Sequence, residues 1–490
     1  MTDIQKLKKD TVKGVFWSSA AHFYTLGVQF VITLILSRLL VPDDFATIGL
    51  LSVFTLLSGL IIESGFAQAL IRETELKSID YSSVFYFNVV VAFITYIILY
   101  LCSPVIANYF HIPELNVISK IVFLQIIFNS FSIVPRVVLT RDMRFDKLSI
   151  VSVVSITISA ISGIVAAFCG LGVYALVIQM LVLSFLNTVL IWVSSKWALT
   201  FEFSFAVIKR LLGFSMYLLS TSLIISLFNN LYTLIIGRNF SQSQLGYYTQ
   251  AKKMEEMPSQ SITTMIVSVS YTAMAKVKDD IILLKKAYQK VLGMNVFIIF
   301  PIMMFCLVSA DSLIPFLFGN QWLASIPYFK ILCVYGMIFP LFSVNGNILK
   351  VLGLGRKYTI QEVVRRALML LFLIPTIKIG IEAMLWGWVA SMVLSIIYSF
   401  ILCGKPIGYS LVKQIMDLMP ITIISIVSMV LPYFACHLFD FTGFLMLFLQ
   451  FILYFSIFFL LSKILKIQAY IDVKNLLLEY PVFNRLFNHK

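Results

Sequence analysis

Two groups of charged residues have types and spacing suited to chemistry. Lys252, Lys253, Glu255 and Glu256 stand together in the stretch GYYTQAKKMEEMP, which runs from Gly246 to Pro258, and Glu362 is followed by Arg365 and Arg366. Cations beside carboxylates can hold an anion such as a phosphate or acidic sugar, or they can relay a proton. Glu362 precedes the two arginines by three and four positions, so on a helix all three share one face. A planar guanidinium grips phosphate oxygens two at a time, which suits this pair to a diphosphate. His22 and Glu63 form a further candidate. Each lies nine residues from a basic landmark, Lys13 and Arg72, so on adjacent antiparallel helices they would share a depth and could carry a proton. Asn229, Asn230, Asn345 and Asn347 are polar groups in apolar surroundings. They would either meet sugar hydroxyls or bond across helices.

Other chemistries leave no trace. There is no GxxxxGKS/T phosphate loop, HExxH or DxD, and the four histidines (His22, His111, His437 and His489) have no metal-ligand spacing. No cofactor is called for. The six cysteines (Cys102, Cys169, Cys306, Cys333, Cys403 and Cys436) are scattered through apolar runs without a CxxC pair and read as small hydrophobes.

The elements that must position the charges are membrane helices. The chain of 490 residues is 60% hydrophobic and 12% charged, and apolar runs of about 20 residues, enough to cross ~30 Å of hydrocarbon, recur along it. Stretches such as Val15 to Leu40, Val84 to Ala107 and Met446 to Leu461 are apolar on every side, unlike soluble helices. Fourteen spans are expected, at 14–37, 45–70, 82–107, 117–138, 148–169, 172–195, 213–236, 246–275, 291–314, 327–350, 358–377, 380–403, 415–437 and 442–463. The basic N-terminal segment is not a cleaved leader, because its apolar run is long and ends at Arg38 and Pro42.

With fourteen spans both termini share a side. Placing them in the cytoplasm puts most of the 37 lysines and arginines there, including the run from Lys276 to Lys290 and the tail from Lys463 to Lys490. Only Arg38, Lys120, Arg238, Lys330 and Lys378 fall in the opposite gaps. The net charge of +14 therefore reflects topology, and nucleic acid is not an expected partner. A weak internal repeat supports a duplicated bundle. Gly14 and Arg38 bracket the first span as Gly213 and Arg238 bracket the seventh, an offset of about 200 residues. The expected organisation is an N-terminal lobe (1–200, spans 1–6), a C-terminal lobe (201–404, spans 7–12), and two extra helices with a basic tail (405–490).

A charge at bilayer depth costs ~2.5 kcal/mol or more, so each needs a partner, a wet cavity or a place near the surface. At ~1.5 Å per residue, counted from the basic run at Lys276, Lys253 comes out near the outer interface, with Glu255 and Glu256 slightly deeper. It would belong either to a locally paired helix end or to a cationic vestibule kinked at Pro258. Arg365 and Arg366 come out ~12 to 14 Å in from the cytoplasmic side, either snorkelling to water or lining an inward cavity.

These residues and the motifs around them resemble the polysaccharide transporter, or Wzx-type O-antigen flippase, family of the multidrug, oligosaccharidyl-lipid and polysaccharide exporter superfamily. The resemblance rests on Lys13-Gly14 with Trp17, Ser37-Arg38-Leu39-Leu40 with Pro42-Asp43-Asp44-Phe45, Glu63-Ser64-Gly65-Phe66, Pro135-Arg136, Arg141-Asp142-Met143-Arg144-Phe145, Gly172-Val173-Tyr174-Ala175-Leu176-Val177 and Gly319-Asn320-Gln321-Trp322. Span eight also resembles lipid II flippases, in which Ala-x-Arg precedes Glu-x-Pro. Here Ala251-Lys252-Lys253 and Glu256-Met257-Pro258 put Lys253 in place of the arginine, which keeps the charge and loses the bidentate grip.

The resemblance implies an all-α polytopic membrane protein that moves undecaprenyl-diphosphate-linked oligosaccharide from the cytoplasmic to the periplasmic leaflet by alternating access. It implies no enzymatic activity and a place in the bacterial inner membrane. Its partners would be the anionic lipid-linked glycan, membrane lipids, a glycan polymerase and export machinery. On this reading Lys252, Lys253, Arg365 and Arg366 form a cationic cavity, and His22, Glu63, Glu255 and Glu256 are candidates for ion coupling. Asn229, Asn345 and Asn347 would line the cavity. Two alternatives remain: a multidrug antiporter for organic cations, and a membrane-embedded glycan polymerase or glycosyltransferase.

Overall fold

The computed structural model describes residues 3–63, 65–73, 75–438 and 443–479. Ser64 of the second-span motif, His489 and the end of the basic tail lie outside them. The described chain is helical and divides into two compact units, Met1–Thr249 and Gln250–Lys490. The first holds α1 (Asp3–Leu39), α2 (Pro42–Glu63), α3 (Phe66–Arg72), α4 (Ser78–Phe110), α5 (Leu115–Val122), α6 (Leu124–Arg141), α7 (Phe145–Phe168), α8 (Val173–Ser195) and α9 (Phe205–Asn239). The unit boundary falls within α10 (Gln242–Lys276). The second unit continues with α11 (Ile281–Phe318), α12 (Ile326–Val351), α13 (Gly355–Thr376), α14 (Ile381–Gly404), α15 (Leu411–Leu438), α16 (Phe444–Ile464) and α17 (Gln468–Glu479).

Among the described residues, 12 helical segments are long and apolar enough to cross a membrane. Fourteen were expected from the sequence. The two that fall short, α10 and α13, are helices where the sequence places spans eight and eleven, and they are the two that carry the candidate charges. Large apolar side chains such as Leu101, Phe168, Leu371 and Ile374 point outward, as lipid-facing surfaces require.

In the first unit α7 packs between α1 and α8, while α2 packs against α9, α6 and α4. Small residues let these helices approach closely: a Cβ on Gly163 of α7 would lie 2.9 Å from the Cβ of Gln179 on α8. The repeat has a counterpart here. α1 ends at Leu39 and α2 starts at Pro42, while α9 ends at Asn239 and α10 starts at Gln242. The two junctions touch. The Ser243 hydroxyl donates to Asp43 Oδ1 at 2.5 Å, and a Cβ on Gly49 would lie 2.7 Å from Thr249 Cγ2. Each of these pairs is separated by 200 positions, so equivalent residues of the repeat meet. Gly246 has no room for a side chain, since its Cβ would stand 2.0 Å from the Pro42 carbonyl oxygen.

In the second unit α12 is the buried centre, flanked by α11 and α14, with α13 against α14 and α15 against α11 and α16. A buried polar chain ties it together. Tyr288 of α11 donates to Asn345 Oδ1 at 2.5 Å, and Asn345 Nδ2 donates to Ser399 Oγ of α14 at 2.8 Å.

Candidate functional site

Charged residues of α10 and of α13 each reach α12, Glu255 at Gly336 and Arg365 at Phe342. Glu255 is buried at 2% exposure, accepts from the Ser259 hydroxyl at 2.5 Å, and packs where α12 has a glycine. A Cβ on Gly336 would stand 2.5 Å from Glu255 Oε1 and 3.1 Å from Met303 Sδ, so the glycine is what admits the carboxylate. The neighbouring Tyr335 is within electrostatic reach of Arg365 and Glu362 on α13 as well as Glu255 and Glu256 on α10.

Depth arithmetic from one helix end puts Lys253 near the outer interface and the arginines near the inner one. The contact with Gly336 fixes instead where α10 meets α12. Gly336 lies ten residues from Ile326 and fifteen from Val351, or about 15 and 22 Å along the helix, so Glu255 meets α12 near its midpoint.

The charges are unequally matched. Lys252 pairs with Glu256 at 3.7 Å, one helical turn along. Lys253, half-buried, forms no hydrogen bond or ion pair with any described residue. On α13 a single carboxylate serves two cations: Glu362 Oε2 lies 3.0 Å from Arg365 Nη2 and 3.2 Å from Arg366 Nη1. The Arg365 guanidinium also lies over the Phe342 ring, 5.2 Å from its centroid, and its buried Nε has no hydrogen-bond partner. On α13, two guanidiniums thus share one carboxylate. Glu255 stands close by, held by Ser259 rather than by a cation.

The asparagines divide. Asn345 is fully buried and makes the helix-to-helix bonds described above, and Asn347 Nδ2 donates to the Val267 carbonyl of α10 at 2.9 Å. For both, bonding across helices is the role the structure records. Asn229 is exposed on α9.

His22 and Glu63 are not brought together as neighbours in the packing. α1 lies on α7, and His22 is exposed there. The charged group acting on Glu63 is Arg136 of α6, across a cavity bordered by α2, α3 and α6. The positive-inside count absorbs Arg136 as a topology charge, so its charge does not single it out. The one sequence signal is the Pro135-Arg136 motif.

The apolar helices, with a few charges buried among them, are those of a multi-pass membrane protein. Residues 35–327 match the model of the family described as "Polysaccharide biosynthesis protein", and the chain belongs to that family. It is 23% identical to the lipopolysaccharide biosynthesis protein WzxC of Escherichia coli (strain K12), over 87% of this chain and 88% of that one. It is also 23% identical to the succinoglycan biosynthesis transport protein ExoT of Rhizobium meliloti (strain 1021), over 68% of this chain and 67% of that one. Among solved structures, the inward closed conformation of the lipid II flippase MurJ superposes with a TM-score of 0.75 at 13% identity, covering 91% of this chain and 98% of MurJ. That likeness establishes the fold.

Proposed function

We propose that the protein is a flippase for a diphosphate-linked oligosaccharide on a polyprenyl carrier, and that the charges of α10 and α13 hold the diphosphate. The observation that carries this is the pair of guanidiniums gathered on the single carboxylate of Glu362, with the buried Nε of Arg365 left without a hydrogen-bond partner, together with Lys253, which lacks a partner among the described residues. A diphosphate supplies the missing negative charge in a form that arginine forks match. Sugars and phosphate do not cross hydrocarbon unsolvated, so a polar interior has to replace water for them.

The remaining assignments belong to the same proposal. Residues 1–200 and 201–404 act as two lobes of a repeat whose access alternates between the leaflets, and 405–490 add two helices and a basic tail. Both termini face the cytoplasm at the inner membrane, as the distribution of lysine and arginine supports. Lys252, Glu255, Glu256 and Asn229 complete the polar lining. Glu63 and His22 are the candidates for ion coupling, and polymerase and export machinery take the product. A drug antiporter for organic cations would need an acidic interior, and here the excess is basic.

The test is to deplete the protein in its source cell and locate the lipid-linked oligosaccharide. Accumulation in the cytoplasmic leaflet is expected. Unchanged surface glycan with altered drug resistance would refute the proposal.

A further inference from the structure

The first unit contains a second polar site, distinct from the charges on α10 and α13. A cavity of about 780 Å³ is bordered by α2, α3 and α6, within the about 300–1,000 Å³ typical of small-molecule sites. Glu63 and Arg136 both line it and act on each other electrostatically, yet they form no ion pair within 4.0 Å. The Arg136 Nη2 instead donates to Asn187 Oδ1 of α8 at 2.7 Å. The guanidinium is thus held by an amide rather than by the carboxylate that lines the same cavity.

The rest of the polar lining is made of amides and hydroxyls. Gln125 is 8% exposed, and its Nε2 donor is buried with no hydrogen-bond partner. Gln68 and Asn129 also line the cavity, and their side chains make no hydrogen bond with a described residue. An unsatisfied buried amide is destabilising, a cost that a ligand bearing both donors and acceptors removes.

We propose that this cavity is a subsite for the sugar rings of the carried glycan, with ring hydroxyls bridging Glu63 and Arg136. This rests on the flippase reading above and adds where the uncharged part of the headgroup is held. Three features select sugar over phosphate. The lining has one carboxylate and one guanidinium, so it offers no net charge to an anion. A hydroxyl donates and accepts at once, which fits a separated carboxylate and guanidinium. Leu56, Ile133 and Val137 supply apolar walls for the C–H faces of a ring. Ion coupling at Glu63 would account for the carboxylate alone; the three amides beside it are what sugar hydroxyls account for.

The test measures binding of two lipids to the purified full-length protein by native mass spectrometry: bare undecaprenyl diphosphate, and the same carrier bearing the oligosaccharide extracted from the source cell. Wild type is expected to prefer the glycosylated lipid at least tenfold. Glu63→Gln and Gln125→Leu should abolish that preference and leave binding of the bare carrier unchanged. Asn129→Ala, at an exposed position, gives the same readout should Gln125→Leu fail to fold. Variants that keep the wild-type preference, or that lose both lipids equally while folded, overturn the sugar subsite alone. Wild type that binds neither lipid overturns the flippase reading with it.

Discussion

Replacing Glu362 with glutamine tests whether α13 carries uncompensated positive charge. The carboxylate lies 3.0 Å from one guanidinium and 3.2 Å from the other, and the side chains are only 15%, 12% and 18% exposed for Arg365, Arg366 and Glu362. Removing one member of a group this buried leaves charge facing charge, which costs about 3 kcal/mol at the lower end of the range for broken buried pairs. For a cooperative unit of this size, at about 2–4 °C per kcal/mol, the detergent-solubilised variant should unfold about 6–12 °C below wild type. Two additions make the result specific. Glu362→Gln combined with Arg366→Gln restores the original charge excess and should recover most of the loss. Inorganic pyrophosphate should raise the unfolding midpoint, and should do so more for Glu362→Gln than for wild type; at a hundredfold excess over its Kd the gain is about 2.7 kcal/mol. If Glu362→Gln unfolds with wild type and pyrophosphate moves neither, the two arginines are already neutralised or solvated, and the diphosphate assignment loses its basis.

Three other substitutions bear on neighbouring positions. Gly336→Ala places a Cβ 2.5 Å from Glu255 Oε1 and should cost about 1–3 kcal/mol by overpacking. In a double-mutant cycle with Glu255→Ala, read by unfolding midpoints, the alanine should cost markedly less, because the clashing carboxylate is gone. Lys253→Met removes a half-buried cation with no partner among the described residues. It should raise the unfolding midpoint while lowering glycan export, whereas Lys253→Arg should retain export. Tyr288→Phe deletes the hydroxyl that donates to Asn345 Oδ1 at 2.5 Å and should cost about 1–2 kcal/mol. Export per folded molecule should stay unchanged, since this network ties helices together.

Much of this architecture is legible in the sequence because the membrane forces it to be. A backbone that crosses hydrocarbon must be helical and its side chains apolar, so runs of about 20 apolar residues mark the spans directly. The 200-residue offset between Arg38 and Arg238 is legible for a similar reason, since each marks the end of a helix before a two-residue break. The charges on α10 and α13 could also be found, because a charged residue in such surroundings stands out individually.

The positions of those charges relative to one another could not be read in the same way. α10 has 35 residues and is therefore about 52 Å long, against ~30 Å of hydrocarbon. Counting 1.5 Å per residue from one end leaves some 20 Å of slack in where the helix meets its neighbours. What fixes the register is a single absent side chain at Gly336 on another helix, which admits Glu255. Pairing His22 with Glu63 fails for a related reason: equal depth on consecutive spans implies contact only if consecutive spans are neighbours, and α1 packs on α7. The charged group that acts on Glu63 is Arg136, a residue whose type and position satisfy the positive-inside rule equally well. A basic residue close to a helix end has two explanations, orientation and function, and sequence spacing supports both. Only the cavity that Arg136 lines together with Glu63, and its hydrogen bond to Asn187, separate the two.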